Sequence, residues 1–461
     1  MKKIIAKITG KNDVYNFKIE ILHTINNFDF LKVNHYLHGD ILCQVINIFS
    51  ELGKLTGMCR VLGYKKNREL LMIKRPFSMD AIINIASDNF IENTLGLNSI
   101  NGAFIGTLDG HRNIKIHLDI KKMISKHISI LAQSGSGKSY TVGVLLEEFI
   151  QKQIPILILD PHNEYNTLRF KNNNKHDLIR LKELNLEPKE LKNINLYSPG
   201  IVSSPNCKKI SLDIKSLTKE TLIESMPKNL TNAQQNLLYV VLNNMDYIDI
   251  DELIFNLSAE DSNVKWVLIT MLENLKNQNI FTSNSTKLLD IVNYKQCSII
   301  SLKGVEADLK DTFITNLLSN LFEARKKAEI PPFLLVIEEA HNFCPEKGNG
   351  NLKSGNIIKK LAGEGRKFGI GLAVITQRPA KIDKNVLSQC STQVIMKMTN
   401  PNDVKPVIQS CEGLDAESSK QIKSLSIGTS LISGLANIPL KVNIRPRITK
   451  HGGESTSEWQ N

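Results

Sequence analysis

The residues with the clearest chemical meaning lie at 127–149, HISILAQSGSGKSYTVGVLLEEF. An apolar run leads into a loop ending Gly135-Ser136-Gly137-Lys138-Ser139, and an amphipathic helical pattern follows. This order suits a triphosphate. Glycines let backbone N–H groups curl around phosphate, the helix N-terminus adds its dipole, and the lysine reaches the outer phosphates. The Ser139 hydroxyl falls where Mg²⁺ is coordinated in such sites. Gln133, Ser134, Gly135, Ser136, Gly137, Lys138, Ser139 and Tyr140 are therefore the nucleotide-binding candidates. The full pattern opens with glycine, whereas this chain has Ala132, which serves as long as its φ stays negative.

A second chemical signal is FLLVIEEAHNF at 333–343, with Glu338 and Glu339 closing an apolar strand. Ligand sites in open α/β sheets lie at that end of the strands. The first carboxylate suits the magnesium shell, through water because glutamate is one methylene longer than the usual aspartate. The second, Glu339, suits polarising the attacking water. DPHNEY at 160–165 follows another apolar run, so Asp160, His162 and Glu164 either sense a γ-phosphate or form a polar turn. TQRP at 376–379 puts the Gln377 amide where it could orient water. GEGRKFG at 363–369 places Arg366 and Lys367 on a helix end before that strand. Arg366 could stabilise transition-state charge in cis or on a neighbouring subunit, or simply be a solvated helix-terminal cation. The Gly/Asn-rich stretch 344–360 carries Lys347, Lys353, Lys359 and Lys360, and reads as a basic loop for sequence-independent phosphate contacts or as an exposed loop without one.

The elements that must position these groups are legible as apolar runs. HISIL (127–131), ILILD (156–160), CSIISL (297–302), FLLVI (333–337), IGLAVIT (370–376) and QVIMKM (393–398) alternate with helical stretches expected at 138–152, 308–328 and 356–367. Fully apolar strands separated by helices predict a mostly parallel sheet covered on both faces. Residues 1–115 read instead as short strands (IIAKITG, NFKIEI, CRVLGY, AIINIAS, NIKIHLD), which predict a small barrel or sandwich. The stretch 217–293 reads as helix throughout and is expected to be an insertion between two strands of the sheet. The expected division is 1–115, then a nucleotide-binding core in two parts, 116–216 and 294–444, then a polar, extended tail, 445–461.

Composition narrows the partners. The formal charge is +12, from 58 Lys and Arg against 46 acids, which suits a polyanion such as nucleic acid but equally a lysine-rich solvated surface. No run reaches the ~20 apolar residues of a membrane span, and the basic N-terminus lacks the apolar core of a signal peptide. Seven scattered cysteines with no C-x-x-C pair predict neither zinc nor disulfides and point to a reducing cytoplasm.

Taken in order, AQSGSGKS, DPHNEY, VIEEAH, GEGRKFG, TQRP and RPRITKHGG resemble the HerA family, relatives of the FtsK motor, over most of the chain. The resemblance implies an α/β, RecA-like ATPase core with an N-terminal β-barrel and an inserted helical subdomain. It implies a homohexameric ring with duplex DNA in its channel, ATP and Mg²⁺ at subunit interfaces, and a barrel that docks a partner such as a NurA-like nuclease. Some bacterial relatives look instead like ATP-gated scaffolds for sirtuin-like or nuclease effectors in defence; a motor acting on protein is a third reading. By similarity Lys138 and Ser139 bind phosphate and metal, Glu339 activates water, Gln377 senses it, and Arg366 occupies the arginine-finger position. Lys126 stands where the family has a basic residue acting on a neighbour's ATP, a weaker match than arginine. DPHNEY has Asn163 where glycine is usual, and asparagine tolerates the left-handed backbone. By the same resemblance, the tail around Arg447 to His451 is expected to brace the neighbouring nucleotide site.

Overall fold

The computed structural model describes the chain except for residues 1–4, 52, 68, 98–101, 200–205, 215–218, 220–221, 224–225, 227–229, 278–279, 283–284, 349–351, 412, 415, 435–437 and 453–461. It divides into two compact units: residues 1–119 with 429–444, and residues 120–428 with 445–461. This redraws two expected boundaries, because a C-terminal stretch assigned to the nucleotide-binding core folds with the N-terminal unit.

The first unit holds an antiparallel sheet ordered β1 (Ala6–Thr9), β2 (Asn16–Ile21), β5 (Lys54–Lys66), β4 (Gly39–Glu51), β3 (Phe30–His35) and β7 (Ile83–Ile85), with β6 (Glu69–Leu71) paired to β5. One face of it is a core containing Phe17, Ile19, Leu31, Val33, Ile41 and Val45. Of the long hairpin β4–β5, the sequence showed only CRVLGY, the middle of β5, and not β4. Its register shifts twice, after Leu42 and after Val45, so the apolar alternation that marks a strand is broken within it. β8 (Ala103–Leu108), β9 (His111–Leu118), β20 (Thr429–Ser433) and β21 (Leu440–Ile444) pair as an antiparallel run outside that sheet, β20-β21-β8-β9. NIKIHLD is thus β9 and pairs with β8; it is not a strand of the seven-stranded sheet.

The second unit is a parallel sheet ordered β13 (Cys207–Lys209), β12 (Ile194–Ser198), β16 (Cys297–Ser301), β11 (Ile156–Asp160), β17 (Phe333–Ile337), β18 (Ile370–Thr376), β10 (Ile128–Leu131) and β19 (Thr392–Ile395). Every residue of β10, β11, β17, β18 and β19 is buried, as expected of strands covered on both faces. The helices that matter for the site are α1 (Ile120–Ser125), α2 (Lys138–Gln151), α3 (Ala307–Lys326) and α4 (Lys353–Glu364). α2 buries Val142, Val144, Leu145, Leu146 and Phe149, and full burial of one such side chain contributes about 1.5–3 kcal/mol. α4 begins three residues before its expected start because Asp311 of α3, itself buried, accepts the N–H groups of Lys353 (3.0 Å) and Ser354 (2.9 Å). A cap supplied from another helix leaves no local sequence signal.

Between β14 (Leu212–Asp213) and its parallel partner β15 (Phe281–Thr282) lie helices Asn232–Asn243, Ile250–Ala259 and Lys265–Asn277. The helix expected over KETLIESM falls largely outside the described residues. Among the described residues, no helix is long and apolar enough to cross a membrane.

Candidate nucleotide site

α2 starts without a side-chain cap. Its first residue, Lys138, follows Gly137 at φ +95, and Gly135 stands at φ +76. Both conformations favour glycine, and they turn a loop of backbone towards the uncapped helix end. Ala132, by contrast, is not among the positive-φ residues, so the missing first glycine distorts nothing. The Ser136 hydroxyl donates to Gln133 O (2.7 Å) and closes the loop. Helical N–H groups left free at a glycine-rich bend are an anion site.

The Lys138 ammonium meets the Glu338 carboxylate and lies 2.5 Å from Glu339 Oε1, joining residues 200 positions apart. The topology causes this: β10 and β17 flank β18, and both strands end on the same edge of the sheet. Burial acts to lower the Lys138 pKa, but the two carboxylates outweigh it and hold the ammonium charged. Burial pushes Glu338 up to about 7, against the opposing pull of Lys138 and of the Tyr165 hydroxyl, which donates to its other oxygen. Glu339 has a left-handed backbone (φ +49), an outlier for a non-glycine residue of the sort that collects at active sites. Its Oε2 is buried and without a hydrogen bond. A buried carboxylate oxygen with a free lone pair is what a general base requires.

Thr376 ends β18, its carbonyl receives Ala132 N–H (3.3 Å), and half-buried Gln377 follows at the rim of the loop. The site thus gathers Lys138, Ser139, Glu338, Glu339 and Gln377 on one sheet edge. Asp160 is at that edge too, but its carboxylate accepts His162 N–H (3.2 Å) and Tyr165 N–H (3.0 Å), so it shapes its own loop; burial raises its pKa. Asn163 stands at φ +60, the conformation glycine usually supplies. His162 is exposed and Glu164 half-buried.

Two candidates are on the opposite edge. Lys126 precedes β10 and Arg366 precedes β18, at the strand starts, and both are exposed. Four residues of β10 and seven of β18 intervene, roughly 13 and 23 Å of strand. Neither side chain reaches the loop of its own chain, so the cis alternative for Arg366 is removed.

Other expectations are corrected. Tyr140 lies one residue, about 100° of helix, beyond Ser139, and its hydroxyl donates to Asp177 (2.8 Å) and accepts Arg447 N–H (2.9 Å), so its side chain faces the tail. Gln133 uses its amide oxygen on Thr399 N and Oγ1, both 2.9 Å, leaving its backbone and Ser134 to the loop. Lys353 and Lys359 belong to α4, not to a basic loop. Lys359 is paired with buried Asp383 (2.9 Å), and Lys353 Nζ donates to Met226 O (3.4 Å). Only Lys347, in an exposed turn, keeps the expected character.

A group that sequence reasoning missed is Glu147 on α2, fully buried, with Arg445 Nη1 at 2.8 Å, Thr449 N at 2.9 Å and Thr449 Oγ1 at 2.6 Å. The tail is therefore strapped to α2 of its own chain. A Glu-Glu pair in an amphipathic helix reads as solvated, and only the two arginines of RPRITK hinted otherwise.

The family model described as helicase HerA, central domain, matches residues 103–322. A probable DNA double-strand break repair helicase HerA from Methanocaldococcus jannaschii is 26% identical over 99% of this chain and 98% of its own length. The DNA double-strand break repair helicase HerA of Saccharolobus solfataricus is 29% identical over 74% of this chain and 68% of its own. Among solved structures, VirB4 of Thermoanaerobacter pseudethanolicus aligns with a TM-score of 0.54 at 14% identity, covering 79% of this chain and 99% of that one.

Proposed function

We propose, from the premise that this chain is a HerA-like P-loop ATPase, that it works as a ring-forming, DNA-dependent ATPase that translocates along or unwinds duplex DNA and is coupled to a partner nuclease in DNA end repair. The observation that carries the reading is the split of the site across two sheet edges. Lys138, Glu338 and Glu339 converge on one edge, while Arg366 and Lys126 stand exposed on the other. A chain carrying half a site on each side completes it by stacking head to tail, and a heterologous interface that closes is a ring. We read the ring as a hexamer, the N-terminal sheet as the small barrel that docks the nuclease, and the helices between β14 and β15 as the inserted subdomain.

In this reading the loop from Gly135 to Ser139 cradles the triphosphate and Lys138 turns from the carboxylates to its outer phosphates. Mg²⁺ would be held by Ser139 and, through water, by Glu338, whose two oxygens each already have a partner; bound there, it neutralises developing charge on the phosphates. Glu339 takes the proton of the attacking water on its free Oε2, and Gln377 orients that water. Arg366 of a neighbouring copy, assisted by Lys126, stabilises the transition state. Exposed lysines such as Lys347 contact DNA phosphates.

Two outcomes follow. Arg366→Ala is expected to lower turnover about 10³-fold or more, with nucleotide affinity kept. Mixing it with Lys138→Ala chains, themselves inactive, should restore part of the activity by pairing an intact loop with an intact Arg366; no recovery on mixing would exclude action in trans. Duplex DNA should stimulate hydrolysis, and the stimulation should fade steeply between about 50 and 200 mM salt as counterion release weakens binding. The decisive experiment is ATP-driven translocation on duplex DNA, with the Lys138→Ala chain as control; hydrolysis without movement would reject the motor.

A further inference from the structure

We infer that His341 is a positioning residue for Glu339, holding its carboxylate through Nδ1 while being held in turn by Thr376 at the end of β18. The inference rests on the reading of Glu339 as general base. Glu339 begins a tight 3-10 turn, Ala340–Asn342, closed by Asn342 N–H donating to Glu339 O (2.8 Å). The turn folds the chain back so that the imidazole two residues on faces the carboxylate. His341 Nδ1 is 3.3 Å from Glu339 Oε2 and 2.9 Å from Thr376 Oγ1. Thr376 Oγ1 already accepts Arg378 N–H (2.9 Å), and the hydroxyl has a second lone pair with which it can accept from the ring. We assign the proton to Nδ1, because an unprotonated Nδ1 would set its lone pair against the Glu339 carboxylate; there it lies between the threonine oxygen and Oε2.

Glu339 needs such a partner. Its Oε1 is engaged only by Lys138, and Oε2 has no hydrogen bond. Once the ammonium turns to a phosphate, nothing else among the described contacts of this carboxylate fixes its torsions. A base works only within hydrogen-bond reach of its water, and a displacement of about 1 Å costs on the order of 10²-fold. The contact at 3.3 Å is longer than an aligned hydrogen bond, and catalytic contacts tighten as the reacting complex forms. Burial lowers the His341 pKa and so favours the neutral imidazole; Glu339 opposes this, while Lys138, Arg378 and Lys381 add to it. A neutral Nδ1–H can orient the carboxylate without pairing with it as an ion. Thr376 adjoins Gln377, so one short chain of contacts sets both the base and the amide that orients its water.

The test is steady-state hydrolysis by the full chain with saturating DNA, alongside binding of a fluorescent ATP analogue and the thermal midpoint. His341→Ala should lower kcat by about 10- to 100-fold with KM, analogue affinity and midpoint little changed. His341→Asn, whose amide nitrogen falls near Nδ1, should recover much of the loss; His341→Gln, whose amide falls nearer Nε2, should not. Thr376→Val should lower kcat in the same way, Thr376→Ser should restore it, and the His341→Ala/Thr376→Val pair should lose little more than His341→Ala alone. An unchanged kcat in His341→Ala, or equal losses in His341→Asn and His341→Gln, would overturn the inference. Should His341→Ala fail to fold, the Asn/Gln and Val/Ser comparisons decide it alone. Glu339→Gln separates the two levels: if it still hydrolyses ATP, the base assignment fails whatever His341 does, whereas an inactive Glu339→Gln beside a fully active His341→Ala removes only the positioning role.

Discussion

Glu339→Gln is expected to lower ATP turnover by about 10²- to 10⁴-fold while leaving ATP binding intact. The amide keeps the size of the carboxylate and the hydrogen bond it can accept from Lys138, so the loop should stay formed. What it loses is proton affinity, and Oε2 is a buried oxygen without a hydrogen bond, approached by His341 Nδ1 at 3.3 Å. Glu338→Gln should behave differently. Both its oxygens are engaged, by Lys138 and Tyr165, so the change should weaken nucleotide binding as well as turnover. The check is single-turnover hydrolysis set against nucleotide affinity. Substantial hydrolysis by the Glu339→Gln chain would remove this residue as base and with it the chemical core of the proposed function.

The second large effect concerns stability. Glu147→Ala is expected to destabilise the second unit by about 3–5 kcal/mol, the usual result of deleting one partner of a buried ion pair. Arg445 and Arg447 are each 1% exposed, and burial already lowers the Arg447 pKa against the pull of Glu147. Besides the arginine, Glu147 accepts Ile448 N–H (3.2 Å) and both donors of Thr449. Removing the carboxylate therefore orphans guanidinium and backbone donors together. Gly143 belongs to the same device: a Cβ there would lie 2.6 Å from Arg447 Cζ, so glycine is kept mid-helix despite costing about 1 kcal/mol relative to alanine. Thermal denaturation would register the Glu147→Ala loss as a midpoint lower by several degrees, and Glu147→Gln should fall between. A midpoint unchanged in Glu147→Ala would show that the strap contributes nothing.

How much was legible varied with how local the cause was. Six strands of the parallel sheet, β10, β11, β16, β17, β18 and β19, were readable to within three residues, because each lies in an uninterrupted apolar run and burial on both faces demands just that; β12 and β13, at the end of the sheet and partly exposed, were not. The helix 265–277 was readable from its sequence, and 232–243 also carries a Thr231–Gln234 capping box. Strand β4 was not, since its bulges break the alternation, and of its partner β5 only CRVLGY was read. The side-chain partners of Tyr140, Lys353 and Lys359 were not legible for one shared reason: sequence distance from a motif does not say which way a side chain turns. Tyr140 turns to Asp177 and the tail, and Lys359 to Asp383.

By itself the amino-acid sequence determined the chemistry available: a glycine bend before a lysine and a serine, two adjacent glutamates after an apolar strand, and a glutamine and an arginine at the two ends of another. These are local statements, fixed by residue type and spacing. Only the tertiary structure decided which of these groups meet. Parallel pairing of β10, β18 and β17 sets Lys138 against Glu338 and Glu339 from 200 residues away and sends Arg366 to the far edge. It also turns His341 between the base and Thr376, and buries Glu147 under the tail. The reason is geometric. Strand order and burial are settled by how whole elements pack, and no stretch of sequence short enough to read as a motif contains that information.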